Sequence, residues 1–134
     1  MSTKLNFKQI IIAGAIASGM SVLINAVLFL IFHKAGVISD SVFVQPNQPL
    51  TITPVIMASI LPTLIGACVF FLFEKFTGNG LKFFNIVAIV LLLLSLASPF
   101  MAIQGITFGY SIILCIMHIV VALSLLYFIK RAKN

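Results

Sequence analysis

The chain has 134 residues, of which 62% are hydrophobic and only 7% are charged, and its formal net charge is +6. An average soluble domain has about 25% charged residues, so a water-soluble fold of this length would leave much apolar surface in water. These values exclude an ordinary soluble domain and indicate that lipid surrounds most of the chain. The positive charge does not indicate nucleic-acid binding, because no basic helix face with interleaved aromatic residues is present.

Four apolar segments fill most of the length, and each is long enough for one membrane-spanning helix. The predicted spans cover residues 10–32, 54–73, 83–101 and 108–129. Lysines before the first span and the segment Ala15-Ile16-Ala17 resemble a signal peptide, but the apolar run is too long for one. We therefore expect an uncleaved first span and an all-α, integral membrane, antiparallel four-helix bundle that forms one domain over residues 1–134.

The three connections between the spans differ in length and composition. The first is long, and the two prolines of its Gln45–Pro49 segment favour extended or polyproline backbone. The second contains Thr77-Gly78-Asn79-Gly80, a turn signal, and the third is short and uncharged. At the start of span two, Thr53 is the expected N-cap and Pro54 the first helical residue.

Positive charge is concentrated in alternate connections. Seven of the eight cations lie in the N-terminal segment, the second connection and the C-terminal tail, namely Lys4, Lys8, Lys75, Lys82, Lys130, Arg131 and Lys133. Only Lys34 falls on the other side of the predicted bundle. Because positive residues are retained on the cytoplasmic face, the sequence predicts a multi-pass protein of the cell (inner or plasma) membrane with both termini in the cytoplasm.

Span one has small and weakly polar residues at four-residue spacing, namely Ala13, Ala17, Ser21 and Asn25. Helices in lipid associate through close packing at small residues and through hydrogen bonds. This face is therefore interpreted as a helix contact, and the wall of a polar cavity is the alternative. An unpaired amide costs several kcal/mol in hydrocarbon, so Asn25 is expected to face the bundle interior.

Two prolines lie within predicted spans. Pro62, near the middle of span two, removes a backbone hydrogen bond and predicts a helix bend. Ser59 and Thr63 are placed to bond the freed backbone groups. Pro99 lies near the outer end of span three, where it is expected to end the helix.

Span four places His118 close to the membrane midplane, on one face with Ser111 and Cys115. An ionisable residue at this depth is a functional-site hypothesis by default, and the alternative is a neutral histidine bonded to a neighbouring helix. His33 is too distant to share a metal ion, so neither a metal site nor a cofactor is expected. Cys68 and Cys115 lie at heights too different for a disulfide, and both are interpreted as buried.

The polar residues of the spans form one candidate set for a pocket or for contacts between helices. Its members are Ser21, Asn25, Ser59, Thr63, Ser95, Ser98, Ser111, Cys115 and His118. Most of them lie in the outer half of the predicted bundle. If they converge, they line an outward-opening pocket with His118 at its floor.

Several short motifs together resemble one known family. They are Asn25, Ala35-Gly36, the proline-containing first connection, Leu61-Pro62-Thr63-Leu64, Leu94-Ser95-Leu96-Ala97-Ser98-Pro99 and Met117-His118. Over nearly the whole chain this pattern resembles the bacterial four-span membrane proteins of domain of unknown function 6069. The resemblance implies a four-helix membrane protein without assigned activity, and it carries over no catalytic or binding residue.

Two functional hypotheses follow. In the first, the protein is a non-enzymatic structural or partner-binding component of the cell membrane, which meets the lipid bilayer and a second copy or another membrane protein. In the alternative, it is a small transporter or channel with an outward-facing polar pocket near Asn25 and His118. An enzyme is a third option with thin support, because one histidine stands without a paired acid, nucleophile or metal set.

Overall fold

A computed structural model describes residues 3–133 and contains four long helices. Helix α1 spans Phe7–Lys34, α2 spans Ile52–Phe76, α3 spans Gly80–Met101 and α4 spans Phe108–Lys133. All four are long and apolar enough to cross a membrane. The predicted all-α membrane fold is confirmed, and the helices extend up to four residues beyond the predicted spans.

The helices pack side by side with α1 and α3 at opposite corners. Helix α1 packs against α2 and α4, and α3 packs against the same two helices from the other side. The apolar window of α3 is the least buried of the four. We call the end that holds Leu5, Lys133 and the α2–α3 connection the basic end, and the opposite end the hairpin end.

The connection between α1 and α2 folds into a small hairpin. Strand β1, Phe43–Gln45, pairs antiparallel with strand β2, Gln48–Pro49. The chain reverses at Pro46 and Asn47, and Asn47 has a φ of 59°, a left-handed conformation that asparagine tolerates better than most residues. The extended backbone predicted for this segment is therefore interrupted by a tight turn.

Helix α2 begins earlier than predicted. Its N-cap is Thr51 rather than Thr53, with an extended backbone and no hydrogen bond from its side chain. Pro54 consequently occupies the third helical position. Its missing N–H still costs little there, because the first four N–H groups of a helix have no partner within the helix.

The expectation that Pro99 ends α3 is wrong. The helix continues to Met101, with Pro99 buried inside its last turn. The Pro99 carbonyl oxygen accepts a hydrogen bond of 3.2 Å from Ser111 Oγ of α4. The last turn of α3 is thus held against α4.

Two apolar clusters fill the interior, one toward each end of the bundle. The cluster toward the basic end contains Leu5, Ile10, Ala13, Ala17, Ala67, Phe70, Phe84, Leu125 and Ile129. The cluster at the hairpin end contains Phe29, Ile38, Val42, Leu50, Val55, Tyr110, Ile113 and Met117. Residues of the long connection, including Val42 and Leu50, therefore cover the hairpin end of the helices.

Glu74 of α2 connects the segment before α1 with α3 and α4 at the basic end, although the sequence assigns it to a connection outside the spans. It lies inside α2 and is 2% exposed. Its carboxylate accepts a hydrogen bond of 3.0 Å from the Leu5 backbone N–H and forms an ion pair with Lys133 of α4. Gly80, the first residue of α3, lies so close that a Cβ atom there would be 2.6 Å from Glu74 Cα.

Candidate functional site

Asn25 lies in the interior of the bundle, between α1, α2 and α4. Its side chain is 2% exposed, and Nδ2 donates to Ser59 Oγ of α2 at 3.0 Å and to the Met117 carbonyl of α4 at 3.3 Å. A carbonyl oxygen only accepts hydrogen bonds, so the atom of Asn25 that faces the Met117 carbonyl must be the amide nitrogen and not the amide oxygen. Within residues 3–133, the buried Oδ1 atom has no hydrogen-bond partner.

The hydroxyl groups of α2 bond mainly to the backbone of their own helix. Ser59 Oγ donates to the Val55 carbonyl at 2.8 Å while it accepts from Asn25, and Thr63 Oγ1 donates to the Ser59 carbonyl at 2.7 Å. Pro62 lies between these two residues and faces outward. Neither hydroxyl donates to the carbonyl four residues before the proline, so the prediction that Ser59 and Thr63 bond the freed backbone groups is wrong. The bend itself stays a prediction.

A small crevice of about 80 Å³ lies between α2 and α4 beside this amide. Its polar lining consists of Asn25, Ser59 and His118. Its apolar lining comes from the connection, from α2 and from α4, namely Leu50, Pro54, Val55, Ala58, Leu114, Met117 and Val121. Asn25 and Ser59 are buried, whereas His118 is exposed on the outer surface of the bundle.

The crevice lies about two helical turns from a close contact between α2 and α4. A Cβ atom at Gly66 would lie 2.5 Å from Leu125 Cδ2, so the two helices touch at this level. Ser59 and His118 each lie seven residues from these positions, which is about 10 Å along a helix. The described part of α3 lines none of the crevice.

The remaining members of the predicted polar set lie outside the crevice. Ser21 and Thr63 are buried, and Ser21 Oγ has no hydrogen-bond partner in the described part of the chain. Ser111 and Cys115 connect α4 to α3 through the Pro99 and Leu96 carbonyls.

Two members of the set belong to α3. Ser95 Oγ donates to the Leu92 carbonyl within the helix, at 2.8 Å, and Ser98 is exposed. The structure therefore brings only Asn25, Ser59 and His118 together around one crevice.

The cysteines and histidines are dispersed. Cys115 is buried, but Cys68 is exposed, so the interpretation of Cys68 as a buried residue is wrong. Its neighbour Ala67 takes the inward position on α2. His33 Nε2 lies 2.9 Å from Asp40 Oδ1 at the hairpin end. Among residues 3–133, no three His, Cys, Asp or Glu side chains are grouped closely enough to hold a metal ion.

Comparison with known proteins gives a family for the chain. The model of the family of unknown function DUF6069 matches residues 6–134. The chain belongs to this family. No curated protein and no solved structure matches it.

Proposed function

We propose that this family member is a non-enzymatic, multi-pass component of the cell membrane that binds a partner inside the bilayer. The observation that carries the proposal is the exposed imidazole of His118 at the mouth of the crevice, part-way along a membrane-crossing helix. A polar group that faces hydrocarbon loses its hydrogen bonds at a cost of several kcal/mol. A partner surface that covers His118 and bonds to it removes that cost.

Asn25 supports the same proposal from within the crevice. Its Oδ1 atom is a buried acceptor without a partner among residues 3–133. A partner side chain that enters the crevice beside His118 could donate a hydrogen bond to this oxygen atom. The partner that fits these two groups is a transmembrane helix with a polar side chain near its middle, from a second copy of this chain or from another membrane protein.

The proposal includes one threading of the chain, with all of residues 1–134 in one transmembrane domain. Seven of the eight cations lie in or near the helix turns at the basic end, and the positive-inside rule then favours a cytoplasmic basic end. Reporter fusions that are active on only one side of the membrane test this orientation. An active exported reporter after residue 134 would contradict it.

Photo-cross-linking in native membranes tests the partner. A photoreactive residue at Val121, which lines the crevice, is expected to give a discrete cross-linked protein band. The same probe at Leu93, on the exposed side of α3, is the matched control and should give none. His118→Ala should reduce the Val121 band at least fivefold, because the covering hydrogen bond is lost. An undiminished band would count against the proposal.

A small transporter or channel is the second candidate, and the polar crevice is the observation that favours it. Leu50, Val55 and Met117 of the hairpin-end cluster line the crevice, so an outward-facing pocket requires them to move. Purified protein in liposomes with a trapped pH dye distinguishes the two functions. Proton flux that disappears in His118→Ala would favour transport and displace the first proposal.

A further inference from the structure

A second and larger groove, of about 460 Å³, lies between α1 and α4 at the basic end. Two facing stripes line it, with Gln9, Ile12, Ala13 and Ile16 on α1 and Phe128, Arg131 and Ala132 on α4. Its volume falls within the range of about 300–1,000 Å³ that is usual for ligand sites. The groove is remote from His118 and plays no part in the function proposed above.

The lining is divided by polarity along the helix axes. Gln9, Arg131 and Ala132 lie nearest the basic end, whereas Ile12, Ile16 and Phe128 extend toward the middle of the bundle. From Gln9 to Ile16 the groove follows α1 for about 10 Å. A molecule that fills it therefore has a polar group at the membrane surface and an apolar part within the hydrocarbon.

The polar end of the groove offers hydrogen-bond donors. Gln9 Oε1 is occupied by the Asn6 backbone N–H at 2.9 Å, so its NH₂ group is the part left for a ligand. The Arg131 guanidinium contributes donors in a planar fork that matches two oxygens of a phosphate.

The acidic side chains of the chain are engaged elsewhere. Asp40 pairs with His33 at the opposite end, and Glu74 binds Lys133 and the Leu5 N–H. These are its only two acidic residues. The positive charge of Arg131 is therefore left without an acidic side chain as a partner.

We propose that this groove binds an anionic phospholipid, with the phosphate on Arg131 and Gln9 and an acyl chain along Ile12, Ile16 and Phe128. Charge complementarity selects an anionic headgroup, and the apolar stripe selects a lipid over a soluble phosphate. A cation at the membrane surface contributes about 1 kcal/mol to the binding of anionic lipid, which is about fivefold in affinity.

Native mass spectrometry of the protein in mild detergent measures this binding. The probes are phosphatidylglycerol and phosphatidylcholine with identical palmitoyl and oleoyl chains. The first phosphatidylglycerol should bind at least fivefold more tightly than phosphatidylcholine. Arg131→Gln should remove that preference, whereas Lys82→Gln, an equal loss of charge on exposed α3, should keep it. Equal affinity for the two lipids, or equal loss in both variants, would overturn the proposal.

A steric variant tests the groove without a change in charge. Ala132→Phe places a ring in the polar end and should weaken phosphatidylglycerol binding at least fivefold, whereas Ala97→Phe on the exposed face of α3 should not. Unchanged binding by Ala132→Phe would overturn the assignment. Circular dichroism verifies that each variant is folded. Displacement of the lipid by glycerol phosphate at equal concentration would show a soluble-anion site and contradict the role of the acyl chain.

Discussion

At the scale of single residues, one amide links three helices across the interior. Asn25 of α1 bonds to Ser59 of α2 and to the Met117 carbonyl of α4. Inside a membrane such bonds are not replaced by water when they are broken. Their measured worth is nevertheless modest, about 0.6 kcal/mol on average, because the separated helices find other partners.

Asn25→Ala is expected to lower the free energy of unfolding by about 1 kcal/mol, because two interhelical hydrogen bonds are lost. Ser59→Ala removes only one of them and should cost about half as much. Unfolding in increasing sodium dodecyl sulfate, followed by circular dichroism, measures both. A double-mutant cycle isolates the Asn25–Ser59 contact, and strict additivity of the two effects would show that this bond contributes nothing.

The inward position of Asn25 was predictable, because the cost of an amide in hydrocarbon admits few other places. The hydrogen-bond partners of the smaller polar side chains could not be predicted from the sequence. A serine or threonine in a helix satisfies itself on the carbonyl four residues earlier, as Ser18, Ser59 and Thr63 do here. Such a residue does not have to face the bundle interior, because its hydroxyl is already hydrogen-bonded. Composition alone therefore does not show which serines and threonines line a crevice.

At the scale of helices, glycine sets how closely two of them approach. A Cβ atom at Gly14 of α1 would lie 2.8 Å from Ala67 Cβ of α2, which is inside van der Waals contact. The methyl group of Ala67 is fixed to the backbone and cannot rotate away. The α1–α2 contact therefore depends on Gly14, as expected for membrane helices that associate through small residues.

Gly14→Ala should destabilise the fold by about 1–3 kcal/mol, because an added methyl group forces α1 and α2 apart. Gly19→Ala is the matched control, since nothing lies within 4 Å of a Cβ atom placed there. That change should be neutral or raise stability by up to about 1 kcal/mol through the higher helix propensity of alanine. The same detergent titration compares them, and equal effects would contradict the packing argument.

Element boundaries show where sequence patterns lose information. Hydropathy marks the apolar part of each helix, but all four helices extend beyond the predicted spans. Some of these extensions begin at hydrogen-bonded caps, which hydropathy does not report. The capping box of Asn6 and Gln9 fixes the start of α1 in this way. The hairpin depends on the turn at Pro46–Asn47. The sequence prediction missed this turn because it considered only the preference of the two prolines for extended backbone.

At the scale of the whole molecule, Glu74 holds the basic end together. In the sequence, Glu74 is the only acidic residue among the seven cations assigned to this end, and this pattern predicts a charge on the surface. The structure instead buries it between the segment before α1, the first residue of α3 and the end of α4. Residues distant in the sequence create that environment, so no pattern within one helix predicts it.

Glu74→Gln should lower the free energy of unfolding by about 1.5–3 kcal/mol, the usual worth of a buried hydrogen bond to a charged group. The amide keeps an acceptor for the Leu5 N–H but loses the charge that Lys133 requires. Asp40→Asn is the matched control at the exposed His33–Asp40 pair and should cost less than about 1 kcal/mol. Thermal unfolding of the purified variants distinguishes the two, and equal losses would show that burial of Glu74 has no energetic weight.

The Glu74 junction also constrains the order of assembly in the cell. Leu5 and Glu74 emerge from the ribosome early, whereas Lys133 is translated after every other residue of the junction. Until α4 has entered the membrane, the carboxylate lacks its counter-ion, and the first three helices form an incomplete unit. The Glu74 junction is therefore complete only after α4 has been synthesised and has packed against α2.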